Sequence, residues 1–354
     1  MSCRENLDNL RAEIDSINFK ILDLLNERAR VALQIGKCKA ELGISGFDPV
    51  REGGMLKRLL EKNTGPFEGE AVSAIFKDIF QKTLDLMDKQ DRSVLKFSRL
   101  AQAENTVVRV GESEFGSGKF CVIAGPCSVE SEEQIEEAAA SLAGLGVKIM
   151  RGGAFKPRTS PYNFQGLGLP GLKLLYEAAK RHGLAVISEI TDIRLLEKIY
   201  PYVDILQIGA RSMYNYDLLK EVGTQDKPVV LKRHFGASLE ELLLSAEYLL
   251  NAGSRKVILC ERGIRTHERW VRATLDISAV PLLKQETHLP VIADISHAAG
   301  RRDILIPLAK AVQAVGADGL MLEVHPHPDM ARSDGRQQLN MLQFAELLQA
   351  LKLA

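Results

Sequence analysis

Reactive side chains recur through the second two-thirds of this 354-residue sequence in two chemical kinds. Cys127, His297, Glu323 and Asp334 offer one thiolate, one imidazole and two carboxylates. That set suits one divalent first-row metal acting as a Lewis acid on a carbonyl. Interleaved with them are the cations Arg151, Lys156, Arg158, Arg211, Lys232 and Arg262. Arginine grips carboxylate and phosphate bidentately, and lysine acts as a point charge. Gathered round one cavity, these charges repel one another unless a ligand with several phosphate or carboxylate groups lies among them. Taken singly, a buried cysteine is usually a small core residue, and a lone arginine a solvated surface group. Their position along the fold decides between the readings.

Short apolar runs rich in β-branched residues set that position. They are FCVIAG (120–125), VKIMRGG (147–153), AVISEI (185–190), ILQIG (205–209), PVVLKR (228–233), KVILCER (256–262), PVIADIS (290–296) and GLMLEV (319–324). Continuous apolar strands separated by helical stretches indicate a parallel sheet covered on its faces. Eight of them, each followed by a helix candidate, predict an α/β chain with a closed (β/α)8 TIM barrel. A doubly wound open sheet is the alternative. The first barrel helix opens with a capping-box pattern, Ser131 to Gln134. Active sites of such barrels lie at the C-terminal ends of the strands. Along that edge fall Cys127, Arg151, Glu189, Arg211, Lys232, Arg262, His297 and Glu323, from the eight strands in order, with Lys156, Arg158 and Asp334 in the loops beyond.

Residues 5 to about 90 follow a helical rhythm instead. Leu7, Leu10, Ile14, Ile17, Ile21, Leu24 and Leu25, then Val31, Ile35 and Cys38, recur at three- and four-residue steps, ending near Gly43, Gly46 and Pro49. Further helices are predicted from about Val50 to Lys62 and from about Glu70 to Lys89. The first is too long to pack on its short neighbours alone, which predicts a homodimer or homotetramer formed through these helices. The expected division is a helical domain over 1–90, a linker and hairpin over 91–119, and the barrel over 120–354. GSGK at 116–119 lacks the spacing of a phosphate-binding loop and reads as a tight turn.

Forty-six basic residues balance forty-six acidic ones, so nothing points to nucleic acid or a membrane surface as partner. Five cysteines without a CxxC pair suggest a reducing compartment. With no signal-peptide pattern and no apolar run of spanning length, a cytoplasmic protein is expected.

The strings GPCSVES (125–131), RGGAFKPRTSPYNFQGLG (151–168), IGARSMYN (208–215), LKRHFGAS (231–238), CERGIRT (260–266), ADISHAAG (293–300) and MLEVHPHPDMARSDGRQQL (321–339) resemble 3-deoxy-D-arabino-heptulosonate 7-phosphate synthases. The likeness is to the branch related to 3-deoxy-D-manno-octulosonate 8-phosphate synthase, and it covers nearly all of residues 107–354. It implies condensation of phosphoenolpyruvate with erythrose 4-phosphate on one divalent metal: manganese, iron, zinc, cobalt or copper. It makes Cys127, His297, Glu323 and Asp334 the metal ligands. Arg211, Lys232 and Arg262 would hold the phosphate of phosphoenolpyruvate, with Arg151 and Lys156 at its carboxylate. Arg158, Thr159, Ser160 and Asp294 would meet erythrose 4-phosphate. Lys156 is the implied proton donor, and Glu189 would place a water. KPRTS (156–160) argues against an octulosonate or sialate-type synthase, whose corresponding loop differs. His234 and Phe235 depart from the family by replacing smaller residues.

The N-terminal segment is similar to the all-helical chorismate mutases. The likeness assigns chorismate to Arg11, Arg28, Lys39, Asp48, Arg51, Glu52, Thr83 and Met87, with Arg28, Lys39 and Glu52 acting in catalysis. Arg28 and Lys39 are eleven residues apart, which places them on one helix face about 16 Å apart. Arg11 points about 100° away from Arg28 and cannot easily enter the same pocket from its own chain. The resemblance implies that this arginine comes from the partner subunit. Met87 is a departure, because the family carries a glutamine or glutamate there that contacts the breaking ether oxygen. A non-catalytic unit that senses chorismate or prephenate and inhibits the synthase is the alternative for this domain.

Overall fold

The computed structural model describes residues 3–42, 48–93, 95–158 and 160–353. The chain divides into two compact units, Met1–Leu95 and Lys96–Ala354. Thr159, Gly43 and Gly46 lie outside the described residues.

Three helices build the first unit: α1 (Cys3–Glu41), α2 (Pro49–Lys62) and α3 (Gly69–Ser93). Asp48 caps α2 by accepting the backbone N–H of Arg51 at 3.0 Å, with Pro49 in the first turn, where its missing N–H costs no helical bond. Both α1 and α2 pack on α3. Along α1, Leu7, Leu10, Ile14, Ile17, Ile21 and Leu24 remain exposed.

The second unit opens with a hairpin, β1 (Val108–Val110) and β2 (Ser113–Phe115). Eight parallel strands follow and close into a barrel: β3 (Cys121–Gly125), β4 (Ile149–Arg151), β5 (Ala185–Ile190), β6 (Ile205–Ile208), β7 (Val229–Lys232), β8 (Val257–Glu261), β9 (Val291–Asp294) and β10 (Gly319–Glu323). Neighbours pair in sequence order, and β10 closes on β3 with Glu323 opposite Gly125. The eight runs of the sequence are these strands, so the closed barrel and not the open sheet is the architecture.

One apolar cluster fills the barrel. Val108, Val110 and Phe115 of the hairpin pack with Ile123, Ile149, Ile187, Ile205, Val230, Ile258, Ile292 and Met321 of the strands. Side chains on a strand return to the same face every second residue. Two residues beyond this apolar layer therefore stand Gly125, Arg151, Glu189, Gln207, Lys232, Cys260, Asp294 and Glu323, on the way to the C-terminal mouth. Folding the apolar layer correctly is what aims the polar one.

At the start of helix α4 (Glu132–Gly144) Ser131 accepts the N–H of Gln134 at 3.1 Å. The expected capping box is incomplete, because the Gln134 side chain accepts from the N–H of Glu130, one residue earlier than the cap.

Gly125 has φ +151°, and a Cβ there would meet the carbonyl oxygen of Arg151 at 2.1 Å. Gly125→Ala is expected to destabilise the barrel by about 3 kcal/mol, combining backbone strain with overpacking. Urea unfolding monitored on the full chain measures this, and an unchanged midpoint would contradict the close approach of β3 and β4.

Candidate active site

A cavity of about 350 Å3 opens at the C-terminal mouth of the barrel. All six cations singled out in the sequence line it: Arg151, Lys156, Arg158, Arg211, Lys232 and Arg262. Two further arginines join them, Arg265 and Arg272, both from the long segment after β8. The acids in the lining are Glu189 and Asp334. The cavity is strongly electropositive and fitted to a polyanion.

Beneath the lining, buried acids hold the deepest cations. Arg151 donates to Glu323 at 2.5 Å, both nearly inaccessible. Burial alone would raise the pKa of Glu323, but His297, Arg151 and Lys156 outweigh it and hold the carboxyl far below its usual range. Asp294 contacts Lys232, accepts from His297 Nδ1 at 2.7 Å and caps the backbone N–H of His297 at 3.0 Å. Burial again opposes ionisation there, and His297 and Lys232 again overcome it. Asp294 does not line the cavity. Its oxygens meet Lys232 and both the ring and the backbone N–H of His297, which orients those two residues.

His297 is thereby fixed. With Nδ1 engaged by Asp294, Nε2 is free and faces Glu323 Oε1 at 3.4 Å. Such carboxylate–histidine pairing is how metal-binding imidazoles are oriented. Ligand atoms of Cys127, Glu323 and Asp334 all lie within 4.8 Å of one another. Burial, then the charge of Glu323, pushes the Cys127 thiol up to about 11. Lys156 Nζ lies 3.1 Å from that sulfur and 2.9 Å from the Cys127 carbonyl oxygen. Gln337 donates to Glu323 at 2.5 Å and accepts from Arg272 at 3.0 Å, and Arg272 reaches Asp334 at 3.3 Å. Gln338 accepts the Cys127 N–H at 2.9 Å and donates to the Ser333 carbonyl at 2.8 Å. Thiol and two carboxylates thus converge with their supporting amides, while the His297 imidazole approaches the cluster at Glu323 and stands outside the mutual 4.8 Å grouping. Thiolate, carboxylate and a neighbouring imidazole are a donor set that fits a divalent ion.

Glu189 faces the cavity because Gly209 leaves it room: a Cβ at Gly209 would lie 1.9 Å from the Glu189 carboxylate. Arg158 donates to Ser333 at 2.5 Å and stands 3.9 Å from Asp334. Ser160 lies outside the cavity lining. Phe235, one of the departures noted above, lines the cavity and carries the Arg265 guanidinium 4.4 Å over its ring. Gln207, Arg265 and Arg272 escaped the sequence reading. Gln207 was within reach of it, since it stands two residues after Ile205, whereas Arg211 lies past the strand end. Arg265 and Arg272 sit in an irregular segment that has no period to read.

A second cavity, of about 580 Å3, lies among the helices of the first unit. Arg28, Lys39, Asp48, Arg51, Glu52, Thr83 and Met87 line it, and Arg11 does not. Arg11 instead pairs with Asp8 at 3.5 Å on the exposed side of α1. Arg28 donates to Thr83 and sits 5.1 Å over the Phe80 ring. Met87 is buried against α1, with its methyl group 2.8 Å from where a Cβ on Gly36 would be.

Comparison with known proteins gives the following. Residues 101–353 match the family described as DAHP synthetase I, and residues 10–88 match chorismate mutase type II. Phospho-2-dehydro-3-deoxyheptonate aldolase of Thermotoga maritima is 54% identical over 255 residues, covering 72% of this chain and 75% of its own length. A 2-dehydro-3-deoxyphosphooctonate aldolase of Francisella tularensis subsp. holarctica is 30% identical over 267 residues, covering 69% of this chain and 95% of its own. The crystal structure of the Thermotoga maritima DAHP synthase superimposes with a TM-score of 0.71 at 53% identity, over 73% of this chain and 75% of that one. Among the described residues, no helix is long and apolar enough to cross a membrane.

Proposed function

The chain belongs to the DAHP synthetase I family and carries a type II chorismate mutase domain, and on that footing we propose how its two cavities divide the work. The barrel condenses phosphoenolpyruvate with erythrose 4-phosphate, and the helical unit converts chorismate to prephenate. What carries the assignment of residues is one juxtaposition: a cavity lined by eight cations, bordered by the Cys127–Glu323–Asp334 cluster. The two substrates bring two phosphates of about −2 each and one carboxylate, a charge that such a cavity can neutralise.

In this reading Arg211, Lys232, Arg262 and Arg265 hold the phosphate of phosphoenolpyruvate, and Arg151 and Lys156 its carboxylate. Arg158, which shares Asp334 with Arg272, receives the phosphate of erythrose 4-phosphate, with Thr159 and Ser160 next in the sequence. Cys127, His297, Glu323 and Asp334 hold one divalent ion, which when bound supplies Lewis acidity toward the aldehyde oxygen. C3 of phosphoenolpyruvate attacks the aldehyde carbon, and Lys156 passes a proton to the oxygen that gains charge. Glu189 orients the water that adds at C2, and the phosphate leaves with cleavage of its C–O bond. Among candidate metals, thiolate favours zinc or copper and the carboxylates favour manganese, with iron and cobalt accommodated by the mixture.

For the helical unit, Arg28, Lys39 and Arg51 bind the two carboxylates of chorismate, and Glu52 completes the polar wall. Arg11 comes from a second copy packed along the exposed apolar row of α1, which makes a homodimer, or a tetramer built from it, the working assembly.

Three outcomes test this reading. Chelation should abolish condensation and re-addition of a divalent ion should restore it, with erythrose 4-phosphate preferred over arabinose 5-phosphate in direct competition. Persistent activity in a metal-free sample would remove the ion from the mechanism. Metal affinity should rise with pH from 6.5 to 8.5, because the raised Cys127 thiol keeps its proton in this range and must shed it on binding. His297, lowered first by burial, is already neutral there and sheds none, so the slope is roughly tenfold per pH unit. A flat profile against a competing chelator would exclude the thiolate as ligand. Finally, Met87→Gln in the full chain should raise prephenate formation, by up to the roughly 10²–10³-fold that one preorganised donor contributes. If neither form makes prephenate while chorismate still binds, the unit is a sensor without turnover.

A further inference from the structure

We propose that Glu130 is a positioning residue for the ligand cage: its carboxylate fastens the loop bearing Asp334 to the loop bearing Cys127, and through Arg332 that fastening extends to the loop bearing Arg158. The inference rests on the reading above that Cys127 and Asp334 share one metal ion.

Glu130 follows Cys127 by three residues and precedes the cap of α4, with its side chain only 8% exposed. Both of its oxygens accept the backbone N–H of Arg332, at 3.0 Å each, and Oε1 also accepts from the Ser128 hydroxyl at 2.8 Å. Oε2 faces His325 Nε2 at 3.8 Å. His325 Nδ1 accepts the N–H of His327 at 2.9 Å, so a neutral ring carries its proton on Nε2, toward Glu130. That buried nitrogen has no hydrogen-bond partner among the described residues, and the Glu130 carboxylate is the charge it faces.

The segment fastened in this way has little regular structure of its own. Between β10 and the C-terminal helix it forms two single turns, Pro328–Met330 and Gly335–Gln337. Asp334 lies between them in the left-handed region, at φ 50° and ψ 34°, a conformation that a non-glycine residue keeps only when its surroundings impose it. Arg158 and Arg272 reach the Asp334 side chain, and two backbone tethers flank it, both tied to the Cys127 loop. Glu130 grips Arg332, two residues before Asp334, and Gln338, four residues after it, bridges Cys127 N–H to Ser333. Remove the first tether, and the backbone on the N-terminal side of Asp334 loses its link to the Cys127 loop.

The Arg332 side chain does a separate task. Its guanidinium lies 3.9 Å over the Phe164 ring, next to the Arg158–Ser333 hydrogen bond. The backbone of Arg332 therefore serves the ligand cage, while its side chain serves the loop that receives the aldose phosphate. Two substitutions separate the roles.

The test titrates chelator-stripped full-length protein with Co(II), following the thiolate-to-cobalt charge-transfer absorption. Glu130→Gln loses the charge and one acceptor, and should weaken cobalt binding roughly 10–100-fold, as outer-shell changes do. The metal-free variant should unfold thermally near the wild type, and its kcat should recover at saturating cobalt. Arg332→Ala keeps the N–H, so cobalt affinity should hold while KM for erythrose 4-phosphate rises. Should Glu130→Gln fail to fold, Ser128→Ala strips one donor from the same carboxylate and should give a smaller loss in the same titration. A wild-type protein without the thiolate band would sink the metal assignment and this inference with it. A normal wild-type band with unchanged affinity in Glu130→Gln, or in Ser128→Ala where that variant stands in, would overturn the positioning role alone.

Discussion

The barrel's site depends on one geometrical constraint, the two-residue return of side chains along a strand held in fixed register. Once Ile149, Ile187, Val230, Ile292 and Met321 are packed with the hairpin, Arg151, Glu189, Lys232, Asp294 and Glu323 have no choice of direction. A register slip of one residue would bury each charge among the surrounding helices. The hairpin matters because Val108, Val110 and Phe115 close the far end of the apolar layer. The polar layer thus stands on a dry floor, where charges interact more strongly than they do in water.

A dry floor sets a second condition, since buried charges must be compensated. Arg151 is met by Glu323, and Lys232 by Asp294, which also holds His297. Arg233, just past β7, is buried between Glu261 and Asp276 at 2.9 and 2.8 Å and anchors both ends of the segment that carries Arg265 and Arg272. Breaking such a pair costs far more than the pair contributes, because a lone charge stays behind. The rim cations differ. Arg211 and Arg272 are solvent-accessible, and Arg272 reaches the Asp334 carboxylate at 3.3 Å. The site has two tiers, buried ion pairs below and accessible cations above, and Arg151 and Lys232 of the lower tier also line the cavity.

This division explains what was legible in the sequence. Strand identity, barrel closure and the inward charges follow from apolar runs and period two, which are local and strict. Gln207 and Asp294 obey the same rule, yet reading by chemical type favoured Arg211 and His297, the nearest reactive residues past the strand ends. His297 is reached only through the turn that Asp294 caps, a hydrogen bond the sequence does not display. Arg265 and Arg272 were invisible for another reason. Arg265 is placed by the Phe235 ring, and Arg272 by its N–H bond to the Ala299 carbonyl at 3.0 Å, both contacts across long sequence separations. The Glu130 tether is of the same kind, joining residues 202 positions apart.

The helical unit obeys a different logic. Its cavity has no layered floor, and its lining comes from the 3.6-residue repeat of three helices. Thr83 and Met87 share a face because they are four apart, and they meet Arg28, from α1, on that face. Arg28 is held by the Thr83 hydroxyl and the Phe80 ring, two contacts that do not involve position 87. The Met87 thioether fills its place by packing against Gly36, where a larger residue would collide with it. On the proposed assignment, binding and bond-breaking chemistry are separable here: the clamp rests on Arg28, Lys39 and Arg51, and position 87 bears on the breaking bond. In the barrel the proposed assignment allows no such separation, because Arg151 and Lys232 line the cavity and also belong to the buried ion pairs that hold the mouth together.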